Sequence, residues 1–193
     1  MLWSKKNLWL LPACIFLYAC PFKSPVPLDE HPIQSVDTSF IGYWYGIIKD
    51  GSDFFGIEAL DIRKQSDSAY NITRYGKAIK GNMILPDTAY FTGYISRLGE
   101  QAYMNIESHI VEIIPGKKKE AAINKSRIFY LAAIELNHDT LTVKTVTDNF
   151  AGINPRFPNP STLRQTILSL SAKNKNIFDD VYKLTYRKME RPF

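Results

Sequence analysis

From Phe40 to about Thr147 the chain alternates short runs rich in Ile, Val, Tyr, Phe and Thr with clusters of turn-forming residues, the pattern of consecutive β-strands. It predicts eight strands, at 40–48, 54–64, 69–75, 77–85, 88–98, 101–114, 126–136 and 140–147. The breaks fall at Asp50-Gly51-Ser52-Asp53, Gln65 to Ser68, Gly76, Pro86-Asp87, Gly99-Glu100, Pro115 to Glu120 and Asn137-His138-Asp139. Within the strands the period is two. Ala102, Met104, Ile106 and Ile110 share one face, and Asn105, Glu107 and His109 share the other. Ile128, Tyr130, Ala132, Ile134 and Leu136 line one face of the next strand, and Phe129 and Leu131 on its other face predict cover on both sides.

After Phe150 the period changes. Pro155, Pro158 and Pro160 mark a bend, and Asn159 followed by Pro160 reads as a helix N-cap with proline at the first helical position. Leu163, Ile167 and Leu170 then recur at helical spacing to about Ala172, and Val181 to Met189 reads as a last strand with Tyr182, Leu184 and Tyr186 on one face. A meander of this length must close or stack to protect its edges, and short sequential turns favour closure. The expected fold is mainly β: an antiparallel up-and-down barrel with one C-terminal helix and a final strand.

The amino terminus has a different pattern. Lys5 and Lys6 precede an apolar run of 12 residues, Leu8 to Ala19, that contains Pro12 and ends at Cys20. A membrane-spanning helix needs about 20 apolar residues, so the run reads as a cleavable signal peptide. Its last residues, Leu17-Tyr18-Ala19-Cys20, resemble the lipobox of bacterial lipoproteins. That resemblance implies removal of residues 1–19 and lipidation of Cys20, whose thiol alone can form the required thioether. It also implies a partner in the membrane, and Pro21, which is not the Asp that commonly retains such proteins at the inner membrane, favours the outer membrane. Residues 20–37 hold four prolines between Pro21 and Pro32 and read as an extended tether, leaving 38–193 as the folded domain.

Processing alters what composition says. With Lys5 and Lys6 gone the net charge falls from +5 to +3, too mild to call for nucleic acid. Trp3, Trp9 and Cys14 also leave, so Trp44 becomes the sole tryptophan and an acylated Cys20 leaves the domain without a thiol.

Phe40-Ile41-Gly42-Tyr43-Trp44-Tyr45 resembles the Gly-x-Trp start of a lipocalin barrel. In that family the Trp plugs one end of the barrel beneath an Arg from near the chain's end, which implies structural roles for Gly42, Trp44 and Arg187. Thr147-Asp148-Asn149-Phe150 resembles the family's Thr-Asp-Tyr loop, though it comes later than expected. The resemblance implies a cup holding one small apolar ligand, with Trp44, Tyr70, Ile72, Met104, Ile106, Tyr130 and Ile134 as inward residues. With 11 Tyr and 11 Phe in the chain, those residues could equally fill a solid barrel that meets an envelope protein through its loops, such as Pro115 to Arg127.

Little in the sequence points to catalysis, a metal or a cofactor. There is no nucleophile elbow, phosphate loop or dinucleotide fingerprint. His31 falls in the tether and His138 in a turn; His109 and Glu112 would lie on opposite faces of a strand. Asp50 and Asp53 read as turn formers rather than calcium ligands, and Lys117 to Lys119 as a solvated loop able to touch anionic headgroups.

Overall fold

The computed structural model describes residues 21–50, 54–80, 83–115, 121–147, 157–173 and 176–190. The signal-peptide run, Cys20, Lys117 to Lys119 and residues 148–150 of the Thr-Asp-Asn-Phe motif therefore lie outside the described residues.

A short strand β1 (Lys23–Ser24) and a 3-10 turn (Thr38–Phe40) precede seven consecutive strands: β2 (Gly42–Asp50), β3 (Phe54–Lys64), β4 (Tyr70–Lys80), β5 (Met83–Leu98), β6 (Gln101–Pro115), β7 (Ala121–Asn137) and β8 (Thr140–Val146). Helix α1 (Pro160–Ala172) and strand β9 (Phe178–Met189) complete the chain. Each strand from β2 to β8 pairs antiparallel with the next, and β9 pairs with both β8 and β2, closing an up-and-down barrel of eight strands. Closure removes the free edges that a meander would otherwise expose.

The meander holds seven strands rather than the expected eight, because Gly76 and Pro86 do not break it. Gly76 pairs with Asp87, and Lys77 with Pro86, in the middle of one long β4–β5 hairpin that turns between Lys80 and Met83. Proline is tolerated there because β5 pairs with β6 only from Thr92 onward, so no ladder bond on that side is lost at Pro86. The eighth wall strand is β9, arriving after the helix.

Period two sorts the side chains into two cores. Trp44, Leu60, Ile62, Tyr70, Ile72, Ile95, Met104, Ile134, Leu141 and Tyr186 cluster inside the barrel. Leu98, Tyr103, Leu131, Ala133 and Val146 face outward and are roofed by Leu163 and Ile167 of α1 together with Phe22 and Leu28. β7 is thus buried on both faces, with Leu131 and Ala132 fully inaccessible. The helix begins as the sequence predicts: the Asn159 side chain accepts from the Thr162 backbone N–H at 2.9 Å, and Pro160 occupies the first turn.

The proline-rich stretch after Pro21 is laid against the barrel. β1 pairs with Phe129 and Tyr130 of β7, on the edge that β8 occupies only from Ala132 onward, so it continues the wall where β8 stops. Phe22 donates its backbone N–H to Val146 and meets the Phe157 ring edge-on at 5.7 Å. Leu28 is fully buried; its N–H goes to Asn105 Oδ1 at 2.7 Å, and Asn105 Nδ2 donates to Ser96 Oγ at 2.8 Å. Tyr94 donates its hydroxyl to the Asp29 carbonyl, and Arg164 of α1 pairs with the Asp29 carboxylate at 2.5 Å. Further on, the Val36 N–H donates to the Asp67 carbonyl at 2.8 Å. The prolines keep the strand extended, while Phe22 and Leu28 supply the burial that binds it.

Candidate functional site

The barrel holds a partly open cavity of about 440 Å³, within the usual range for small-molecule sites. Alternate residues of the strands aim into it. Leu60 and Ile62 come from β3, Ile72 from β4, Phe91 from β5, Met104 and Ile106 from β6, Tyr130, Ala132 and Ile134 from β7, Leu141 and Val143 from β8, and Leu184 from β9. Pro21 lines the same space, through its bridge to Thr147.

Of the seven residues expected inside, Ile72, Met104, Ile106, Tyr130 and Ile134 line the cavity. Trp44 and Tyr70 belong to the inner core but form the stopper at the end where β2 begins. Trp44 is fully buried and donates Nε1–H to the Phe40 carbonyl at 2.9 Å, while the Tyr70 hydroxyl accepts from the Asp37 N–H at 2.7 Å. Phe40 itself faces the cavity.

The cation standing over Trp44 is Lys188, at 5.2 Å from the ring, and not Arg187. The ladder pairs Trp44 with Lys188 and Tyr45 with Arg187, so the strand period turns Arg187 to the outer surface, where it is exposed. Gly42 has a physical reason to be glycine. Its φ is +147°, and a Cβ there would come within 2.9 Å of Lys188 Cε.

One part of the site escaped the sequence reading. Glu58 is buried in phase with Leu60 and Ile62, and the partly buried Arg74 is in phase with Ile72, so both reach the cavity. Arg74 Nη1 pairs with Glu58 Oε2 at 3.2 Å, and its Nη2 donates to Asp87 Oδ2. Tyr186 donates its hydroxyl to Glu58 Oε1 at 2.5 Å. Burial, and then the charge of Glu58, push the Tyr186 pKa far above its ordinary value of 10.0, so the hydroxyl stays protonated. Gly46 makes this arrangement possible, because a Cβ there would lie 3.0 Å from the Tyr186 ring and 2.8 Å from the Thr185 carbonyl oxygen. The available signal was a single charged residue, Glu58 on β3 and Arg74 on β4, in phase with an otherwise apolar inward face.

Outside the barrel, His109 lies on the exposed face beside Glu107, at 3.9 Å, and Arg127 pairs with the same Glu107 at 2.9 Å. Among the described residues no three His, Cys, Asp or Glu side chains are grouped to hold a metal ion. The wall not roofed by α1 carries exposed apolar side chains on β2 to β5: Tyr45, Ile47, Ile57, Tyr75 and Tyr90.

Comparison with protein-family models, with curated proteins and with solved structures finds no match.

Proposed function

We propose that this chain is a lipid-anchored protein of the bacterial envelope, acylated at Cys20 after loss of residues 1–19, whose barrel binds a small apolar ligand. The observation that carries the binding function is the cavity of about 440 Å³, walled mainly by apolar side chains and stopped at one end by Phe40 and Trp44. A barrel built only for rigidity would fill that space, because interiors pack to crystal-like density.

The anchor rests on the lipobox-like Leu17-Tyr18-Ala19-Cys20. Several buried acyl chains, each CH2 worth about 0.8 kcal/mol, would hold the protein on a membrane permanently. Pro21 supports joining the two readings, since the residue next to Cys20 is itself part of the cavity wall. An anchor there holds the ligand site close to the bilayer from which an apolar ligand would come.

Native mass spectrometry of the gently purified protein tests the binding function: the expected result is an added mass that organic extraction removes, and an unliganded barrel that takes up no apolar compound would overturn it. Incorporation of an alkyne fatty acid in cells, with and without Cys20→Ala, tests the anchor. Labelling that survives the substitution rules it out.

A second reading, a protein that docks an envelope partner, draws support from the exposed outer wall, where Ile47 is 68% and Tyr90 76% accessible. Site-specific cross-linking from Ile47 in intact cells should then trap one recurrent protein; trapping of lipid alone would eliminate this reading.

A further inference from the structure

Among the described residues the apolar cavity carries one charged patch, and its charge is unbalanced. Glu58, in the lining, and Asp87, outside the lining but paired with Arg74, supply two carboxylates against its single guanidinium. The two groups best suited to receive an anionic ligand are already committed to the protein's own carboxylates. Arg74 spends Nη1 on Glu58 and Nη2 on Asp87, and Tyr186 spends its hydroxyl on Glu58. The Arg74 Nε–H lacks an acceptor but is fully buried, beyond the reach of a ligand, so the uncharged polar groups of the lining include the hydroxyls of Ser108 and Thr145. A hydroxyl donates to a neutral oxygen, whereas two carboxylates already set against one guanidinium oppose any oxygen that brings a further negative charge.

We propose that the cavity selects amphiphiles whose polar end is an uncharged oxygen acceptor, an ester, amide carbonyl or alcohol, and that Glu58 and Asp87 exclude carboxylates and other anions. This rests on the reading of the barrel as a binder of apolar ligands. The hydroxyls of Ser108 and Thr145 receive the acceptor, and the apolar walls from Ile72 to Tyr130 take the hydrocarbon. Fatty acids, the commonest apolar ligands with a charged end, are the compounds this patch turns away.

The test uses the full chain in phosphatidylcholine vesicles and two photoreactive probes, a diazirine-bearing long-chain fatty acid and its methyl ester, at neutral pH and equal membrane-bound concentrations. Labelled positions are read by peptide mass spectrometry. The ester should label peptides containing Ile72, Met104 or Tyr130 about tenfold more than the acid, a difference of about 1.4 kcal/mol. Glu58→Gln and Asp87→Asn should each raise the ratio of acid to ester labelling several-fold. Circular dichroism checks that each variant keeps its strands, and Asp87→Asn, at a half-exposed side chain, preserves the test if the buried Glu58 variant unfolds. Acid and ester labelling equally, or Asp87→Asn leaving their ratio unchanged, overturns the head-group preference while the cavity function stands. Labelling by neither probe overturns both.

Discussion

Lys188 holds its ammonium 5.2 Å from the centroid of the Trp44 ring, joining the last strand of the barrel to the first. The same side chain donates to the Ser39 carbonyl at 3.2 Å, and its backbone N–H donates to the Asp139 carbonyl at 2.9 Å. Three segments far apart in sequence thus meet over one indole at the closed end.

The two halves of this contact differ in weight. Lys188 is exposed, and a cation–π contact of that kind contributes about 0.5–1 kcal/mol, so Lys188→Gln should cost no more than that in urea denaturation. Trp44 has no accessible surface, and Trp44→Ala should cost about 3–5 kcal/mol. Arg187→Gln, on the outer face, should leave stability within about 0.5 kcal/mol of the parent.

The Tyr186 hydroxyl sets a limit at high pH. Its folded pKa is raised above the ordinary 10.0, by burial first and by Glu58 second. Above pH 10 the unfolded chain therefore releases a proton that the folded chain keeps, and stability falls as pH rises, by up to about 1.4 kcal/mol per unit for each such tyrosine. Tyr70, Tyr94 and Tyr103, all raised chiefly by burial, add to the fall. Tyr186→Phe should lower stability below pH 10 by about 1.5–3 kcal/mol, through the lost bond to Glu58, and flatten the decline above it. Urea midpoints across the alkaline range measure both effects.

Leu28 tests whether residues 21–40 are structural. A free spacer would tolerate any substitution there. Because Leu28 is fully buried, and its N–H is held by Asn105, Leu28→Ala should cost about 2–5 kcal/mol and expose residues 25–36 to protease. Asp29→Asn, which weakens the pair with Arg164, should increase cleavage there without unfolding the barrel.

Strand class, helix caps and inward faces were legible because they depend on local period and propensity: Met104 against Asn105, or Asn159 before Pro160, needs no distant partner. Features set by pairing over long sequence separations were not. Gly76 and Pro86 look like breaks until each is opposite the other's neighbour in one hairpin. Prolines around Phe22 and Leu28 suggested spacing, and only the barrel's outer face, with Arg164 reaching Asp29 across 135 positions, turns them into a docked strand. Choosing between Arg187 and Lys188 needed the register of β9 on β2, which a one-residue shift inverts. Glu58 and Arg74 were in phase with the apolar face, but charge alone does not reveal that two carboxylates converge on one guanidinium and that a hydroxyl joins one of those carboxylates.

Ala132 offers the sharpest separation of an open cup from a filled barrel. It is fully buried on β7, lines the cavity, and stands opposite Met104 on one side and Thr145 on the other. In a filled interior, adding a ring would force neighbours off their rotamers at a cost of about 1–3 kcal/mol. Where the cavity of about 440 Å³ that Ala132 borders can take it up, a phenylalanine side chain gains burial instead. Ala132→Phe should therefore leave the thermal midpoint unchanged or raised while abolishing the extractable mass in native mass spectrometry. A large loss of stability would show that the interior has no room, and a stable variant that keeps its bound mass would move the ligand away from this wall.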